Sequence, residues 1–112
     1  VVVPYAQLKH DEFIIRSFSI DTNDDELVWH RDESNRIVIP VEGEDWQLQF
    51  DNELPITIQP FNTIIIDKNK YHRIIKGSTN LKIYILEYSE ILDSGDIIKI
   101  TNKVKNEYNK NI

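Results

Sequence analysis

Two histidines and one aspartate have the types and spacing to hold a metal ion: His30 and Asp32 in the run Trp-His-Arg-Asp, and His72 in Tyr-His-Arg. Side chains alternate along an extended segment, so His30 and Asp32 share a face. His72 follows roughly forty residues later and can meet them from a second strand. Two imidazoles and a carboxylate cap one side of a divalent ion and leave its other positions open. That is the ligand set of a non-haem Fe(II) centre. It uses two of the three histidines in the chain.

Strands must position these groups, and strand signals dominate the sequence. Short apolar or alternating runs cover Phe13 to Ile20, Leu27 to Asp32, Arg36 to Val41, Trp46 to Phe50, Leu54 to Gln59, Asn62 to Ile66, Tyr71 to Ile75 and Leu81 to Tyr88. Pro40 interrupts the third of these near its end. Polar clusters such as Asp21 to Glu26, Asp51-Asn52-Glu53 and Lys76 to Asn80 separate them as turns. Strands at this close spacing predict an all-β antiparallel sandwich or barrel. Beyond Ser89 the pattern changes. Asp96 to Ile100 reads as one more short strand after a loop. The polar, Lys/Asn-rich tail reads either as a frayed helix or as disordered chain.

The 112 residues make one domain with a sizeable core, about 13–100, and a tail at 101–112. The chain has no cysteine, which excludes a disulfide scaffold, thiolate metal sites and cysteine nucleophiles. A net charge of -6 argues against nucleic acid as a partner, since binding a phosphate backbone needs a basic face. No apolar run approaches the roughly 18 residues that span a bilayer, so no membrane partner is expected. The opening Val-Val-Val-Pro is too short for a signal-peptide core, and the expected location is cytoplasmic.

The spacing around the three candidate ligands, from Leu27 to Glu87, resembles the cupin superfamily. In its first motif, Gly precedes His-x-His, then Glu, then a second Gly. Here Asp24 takes the leading position, His30-x-Asp32 the paired ligands, Arg36 the glutamate and Gly43 the closing glycine. In its second motif, Phe61 takes the first Gly position, Asp67 the Pro, Asn69 the second Gly, His72 the histidine and Lys76 the Asn. Asn tolerates positive φ better than most residues. The arrangement also looks like short cupin proteins of marine bacteria and their phages. The resemblance implies a double-stranded β-helix, or jelly-roll barrel, with a short N-terminal arm and a polar C-terminal tail. It further implies a divalent metal (Fe, Mn, Ni or Zn) on His30, Asp32 and His72, a small-molecule ligand, and a homodimer formed by sheet extension. Dioxygenase and isomerase chemistry are both compatible with it. The His-x-Asp … His order also resembles the 2-oxoglutarate oxygenases, where a basic residue about ten positions past the distal histidine binds the cosubstrate; Lys82 has that spacing.

Arg36 is the departure that matters. A guanidinium cannot ligate a metal and stays charged. Either it clamps an anionic ligand beside the metal, or it pairs with Asp32 in a metal-free pocket that recognises a sugar or organic acid. Gln47 and Gln49 also have two readings. They can face the ligand, or they can be solvated while Trp46, Leu48 and Phe50 form core. By alternation Trp29, Arg31 and Arg73 point away from the site, and Leu81, Ile83 and Ile85 point inward with Tyr84 outward.

Overall fold

Eight strands and one α-helix, besides a short 3-10 turn at Asp24–Glu26, follow in chain order in a computed structural model that describes residues 3–90 and 92–110. They are β1 (Ala6–His10), β2 (Phe13–Phe18), β3 (Asn35–Glu42), β4 (Gln47–Phe50), β5 (Ile56–Thr57), β6 (Ile64–Ile66), β7 (His72–Ile75), β8 (Leu81–Tyr88) and α1 (Ser94–Lys110). A five-stranded sheet has the order β1-β2-β8-β3-β6, and a three-stranded sheet the order β5-β4-β7. Every ladder is antiparallel.

The larger sheet is apolar on both faces, which is why β3 reads as an almost unbroken hydrophobic run rather than as an alternation. Its inner face carries Phe18, Val38, Leu81, Ile83 and Ile85 toward Trp46 and Leu48 of the smaller sheet's side. Its outer face carries Phe13, Ile37, Ile39, Val41 and Tyr84 against α1, where Val104 is fully buried. Burying each such aliphatic side chain contributes about 1.5–3 kcal/mol. Trp46 is fully buried, and its Nε1 donates to the carbonyl of Thr79 at 2.6 Å. Gly77 lets the chain pass this ring closely; a Cβ there would collide with the Glu44 carbonyl oxygen and with Trp46.

Two expected elements differ. The segment Asp96 to Ile100 is helical, not a strand, and α1 runs on through the polar tail to Lys110. Its start is a reciprocal cap: Asp93 Oδ1 accepts from the Asp96 amide at 2.8 Å, and Asp96 Oδ2 accepts from the Asp93 amide at 3.3 Å. Ile97, Ile100, Val104 and Tyr108 then fall on one helical face against the outer cluster. The β-branched isoleucines suggested a strand, and tertiary packing overrode that propensity. The chain is strand-dominated with a C-terminal helix, so the helical reading of the tail holds and the helix extends back to Ser94. Leu27 to Asp32 does not form a strand; only His30 makes an isolated bridge, to His72. Pro40 interrupts β3 near its end as expected: the strand continues to Glu42, with a bulge after Pro40. Pairing with β6 covers only Arg36 to Val38, so the missing proline N–H falls beyond that ladder. The N-terminal arm includes β1, an edge strand exposed throughout.

Candidate metal centre

The backbone brings the three candidate ligands together before any side chain does. His30 and His72 exchange both backbone hydrogen bonds, at 3.0 and 2.9 Å, which makes them direct cross-strand partners. Their rings lie 4.4 Å apart between centroids. Asp32, two residues on from His30, is held by a second tie: its carbonyl accepts from the Asn69 amide at 2.7 Å. Asn69 adopts φ 63°, the left-handed conformation expected where the resemblance places a glycine. Phe61, in the other glycine position of that motif, also has positive φ, 62°. Its amide donates to the Pro40 carbonyl at 2.7 Å, and its ring packs beside Tyr108 of α1. Both turns thus keep the glycine-like backbone without the glycine.

The side-chain chemistry follows from what each ring nitrogen can do. His72 Nδ1 lies 2.8 Å from the Lys70 carbonyl, and His30 Nδ1 lies 3.0 Å from the Val28 carbonyl. A carbonyl only accepts, so both Nδ1 atoms carry hydrogen and donate. This fixes the rings and directs each Nε2 away from the backbone, the arrangement that metal-bound histidines use. The ligand atoms of His30, Asp32 and His72 all lie within 4.8 Å of one another. His72 is buried and Asp32 nearly so, while His30 is the most open. Asp32 Oδ2 is 3.3 Å from His72 Nε2, yet it is buried without a hydrogen bond of normal geometry. A carboxylate oxygen and an imidazole lone pair repel at that distance unless a cation lies between them. That cation is either a second proton on His72 or a metal ion.

Arg36 points inward. Its Nη1 is 3.3 Å from Asp32 Oδ1 and its Nη2 is 3.5 Å from Glu87 Oε2, while its Nε is buried with no acceptor. Ser34 Oγ donates to the same Glu87 oxygen. His72 and then Arg36 hold the Asp32 carboxyl below the usual carboxylate range, against the opposing effect of burial. Ser34 first, then Arg36, lowers that of Glu87 in the same way.

The site opens on a cavity of about 330 Å³ between the two sheets, with His30, Asp32, Arg36 and His72 in its wall. As expected, Leu81, Ile83 and Ile85 also line it, and Tyr84 faces away, though under α1 and not toward solvent. Gln47 and Gln49 do not line it. They lie on the opposite face of β4 from Leu48, and Gln49 Oε1 accepts from Arg73 at 2.8 and 3.0 Å. Lys82 also faces away from the cavity and pairs with Glu42 at 3.6 Å, which removes it from the cosubstrate position its spacing suggested. Arg31 and Arg73 stack outside the site, over Tyr71 and Trp29. Sequence reasoning missed Arg16. Strand alternation places it between Ile14 and Phe18 on the inner face of β2, and it lines the same cavity. A lone charge amid apolar residues was the available signal. A second gathering, His10, Asp11 and Glu107, lies at the surface where the β1–β2 turn meets α1.

Several solved structures share this fold. An RmlC-like cupin family protein with a double-stranded β-helix fold from Methanocaldococcus jannaschii aligns over 86% of this chain and 83% of its own, at 14% identity and a TM-score of 0.61. A cupin-2 domain containing protein from Shewanella frigidimarina aligns over 72% and 76%, at 20% identity and 0.53. The FeII form of HppE, solved with its substrate, aligns over 79% of this chain and 57% of its own, at 13% identity and 0.56. No protein-family model matches the chain, and no curated protein matches it. The likeness to these cupin proteins is one of fold.

Proposed function

We propose that this chain is a small metal-binding cupin in which His30, Asp32 and His72 hold one divalent cation and Arg36 orients an anionic small molecule beside it. One observation carries the reading: a buried carboxylate oxygen, Asp32 Oδ2, without a hydrogen bond, facing an imidazole nitrogen whose ring is fixed by a backbone carbonyl. A cation satisfies all three ligand atoms at once. Two nitrogens and one oxygen suit iron, manganese, nickel or zinc. That HppE, of similar fold, has been solved in an FeII form supports iron among these. When bound, the metal supplies Lewis acidity or, as iron, redox chemistry, so isomerase and dioxygenase activities both fall within the proposal. The protein's own part is to orient the ligand through Arg36 and to exclude water with the aliphatic walls. A closed jelly-roll barrel and a homodimer formed by sheet extension belong to the same reading; the exposed edge strand β1 supports the latter.

A metal-free binding module is the rival, and the Arg36–Asp32 ion pair favours it. Metal analysis of tag-free protein, beside an Asp32→Ala variant, separates the two. The proposal expects about one equivalent of metal in the parent. It expects a loss of affinity in the variant beyond the roughly 10–100-fold that removing an outer-shell partner costs. A folded parent that takes up no metal from any of the four ions leaves the metal-free module standing.

A further inference from the structure

Arg16 is a charge without an ion-pair contact among the described residues. Its Nε donates to Gln7 Oε1 at 2.7 Å and its guanidinium lies over the Tyr5 ring, 4.2 Å from the centroid. Among the described residues no carboxylate lies within ion-pair distance of it. Arg36, by contrast, is offset by Asp32 and Glu87. A cation half-removed from water and left unpaired is costly unless something anionic joins it. Arg16 is thus one guanidinium in the cavity wall with no ion pair, a place for one anionic group. Burial works most strongly against the charged form of Arg16, and Arg36 adds to that, while Tyr5, Asp32 and Glu87 offset part of it from a distance.

The rest of the cavity specifies the body of that ligand. Leu48, Ile58, Ile66, Ile83 and Ile85 present only hydrocarbon. A sugar placed among them leaves its hydroxyls unpaired, at about tenfold or more in affinity for each one. The volume, about 330 Å³, is at the small end of ligand pockets. We infer that the cavity binds a small monocarboxylic acid with a hydrocarbon body, its carboxylate on Arg16 and its chain among the isoleucines. The inference rests on the reading of this cavity as the ligand site but moves the ligand's anionic group from Arg36, which Asp32 and Glu87 already pair, to Arg16, a contact that stands without the metal.

The test titrates the full chain, both metal-stripped and zinc-loaded, with 4-methylpentanoate, its neutral amide and gluconate, following isoleucine methyl signals by NMR. The acid is expected to saturate with shifts at Ile58, Ile83 and Ile85. The amide should bind about tenfold or more weakly, since it lacks the charge-assisted pair, and gluconate should not compete. Arg16→Gln should erase the preference for acid over amide, and Arg16→Lys should retain much of it. The parent comparison of acid with amide stands even if a variant folds poorly. Equal affinity for acid and amide, competition by gluconate, or shifts confined to the surface would overturn the inference. Zinc uptake is measured on the same samples. Zinc uptake without acid binding sinks this inference alone, and acid binding without zinc uptake sinks only the metal reading.

Discussion

The two faces of the five-stranded sheet are built from the same residue types and do opposite work. On the outer face, Ile37, Ile39 and Val41 meet α1 with Val104 fully buried among them. On the inner face, Val38, Ile83 and Ile85 meet a cavity whose wall also holds two arginines, two histidines and an aspartate. Alternation along β3 and β8 assigns neighbouring residues to one or the other. The packed face can hold the sheet rigid, and this leaves the inner face free to keep a cavity and an unsatisfied carboxylate that a close-packed core would not tolerate.

Substitutions should separate the faces. Ile39→Ala empties space in the packed layer and should cost about 2–5 kcal/mol of unfolding free energy. Ile83→Ala merely enlarges a cavity that exists, and should cost at or below the roughly 2 kcal/mol end of that range. Urea unfolding of the two variants side by side checks this; equal losses would mean the inner face is as tightly packed as the outer. Zinc offers the reverse contrast. At a hundredfold excess over its dissociation constant it should stabilise the parent by about 2.7 kcal/mol. Ile39→Ala should keep that increment, because the faces are independent, and Asp32→Ala should lose it. An Ile39→Ala variant that cannot bind zinc would show that the packed face shapes the site directly.

The smallest effect is expected from acid. Asp32 and Glu87 both have folded-state values below the usual carboxylate range. Their contribution is therefore present above the unfolded value of about 4 and is lost as pH falls through the lowered folded values. Unfolding midpoints of metal-free protein followed from pH 6 downward should fall less steeply in an Asp32→Asn variant than in the parent. An unchanged acid limb would mean that the carboxylate is not stabilised where it lies.

Much of this was legible in the sequence, for reasons that differ by region. The His-x-Asp pair and the distal histidine were readable because ligand chemistry depends on residue type and alternation, and those survive even where Leu27 to Asp32 fails to make a strand. The turn at Asn69 was readable because its side chain announces positive φ. Phe61 announces nothing of the kind, since its left-handed backbone is imposed by the Pro40 carbonyl and the packing of its ring. The first turns of the helix were hidden because Ile97, Ile98 and Ile100 carry β-propensity, although Asp93 and Asp96 had the spacing of a reciprocal cap. Arg16 gave only the local signal of a lone charge in an apolar strand; which cavity it faces depends on which strands flank β8, a long-range fact.

The central claim is that His72 and His30 present fixed Nε2 lone pairs to a cation shared with Asp32. Imidazole 15N NMR of the metal-stripped chain, during titration with zinc, reads this directly. The account predicts that Nδ1 of both rings carries hydrogen throughout and that Nε2 of both moves together, complete at one equivalent, while His10 stays where it was. Zinc that moves His10 first, or leaves His30 and His72 unmoved, would contradict it.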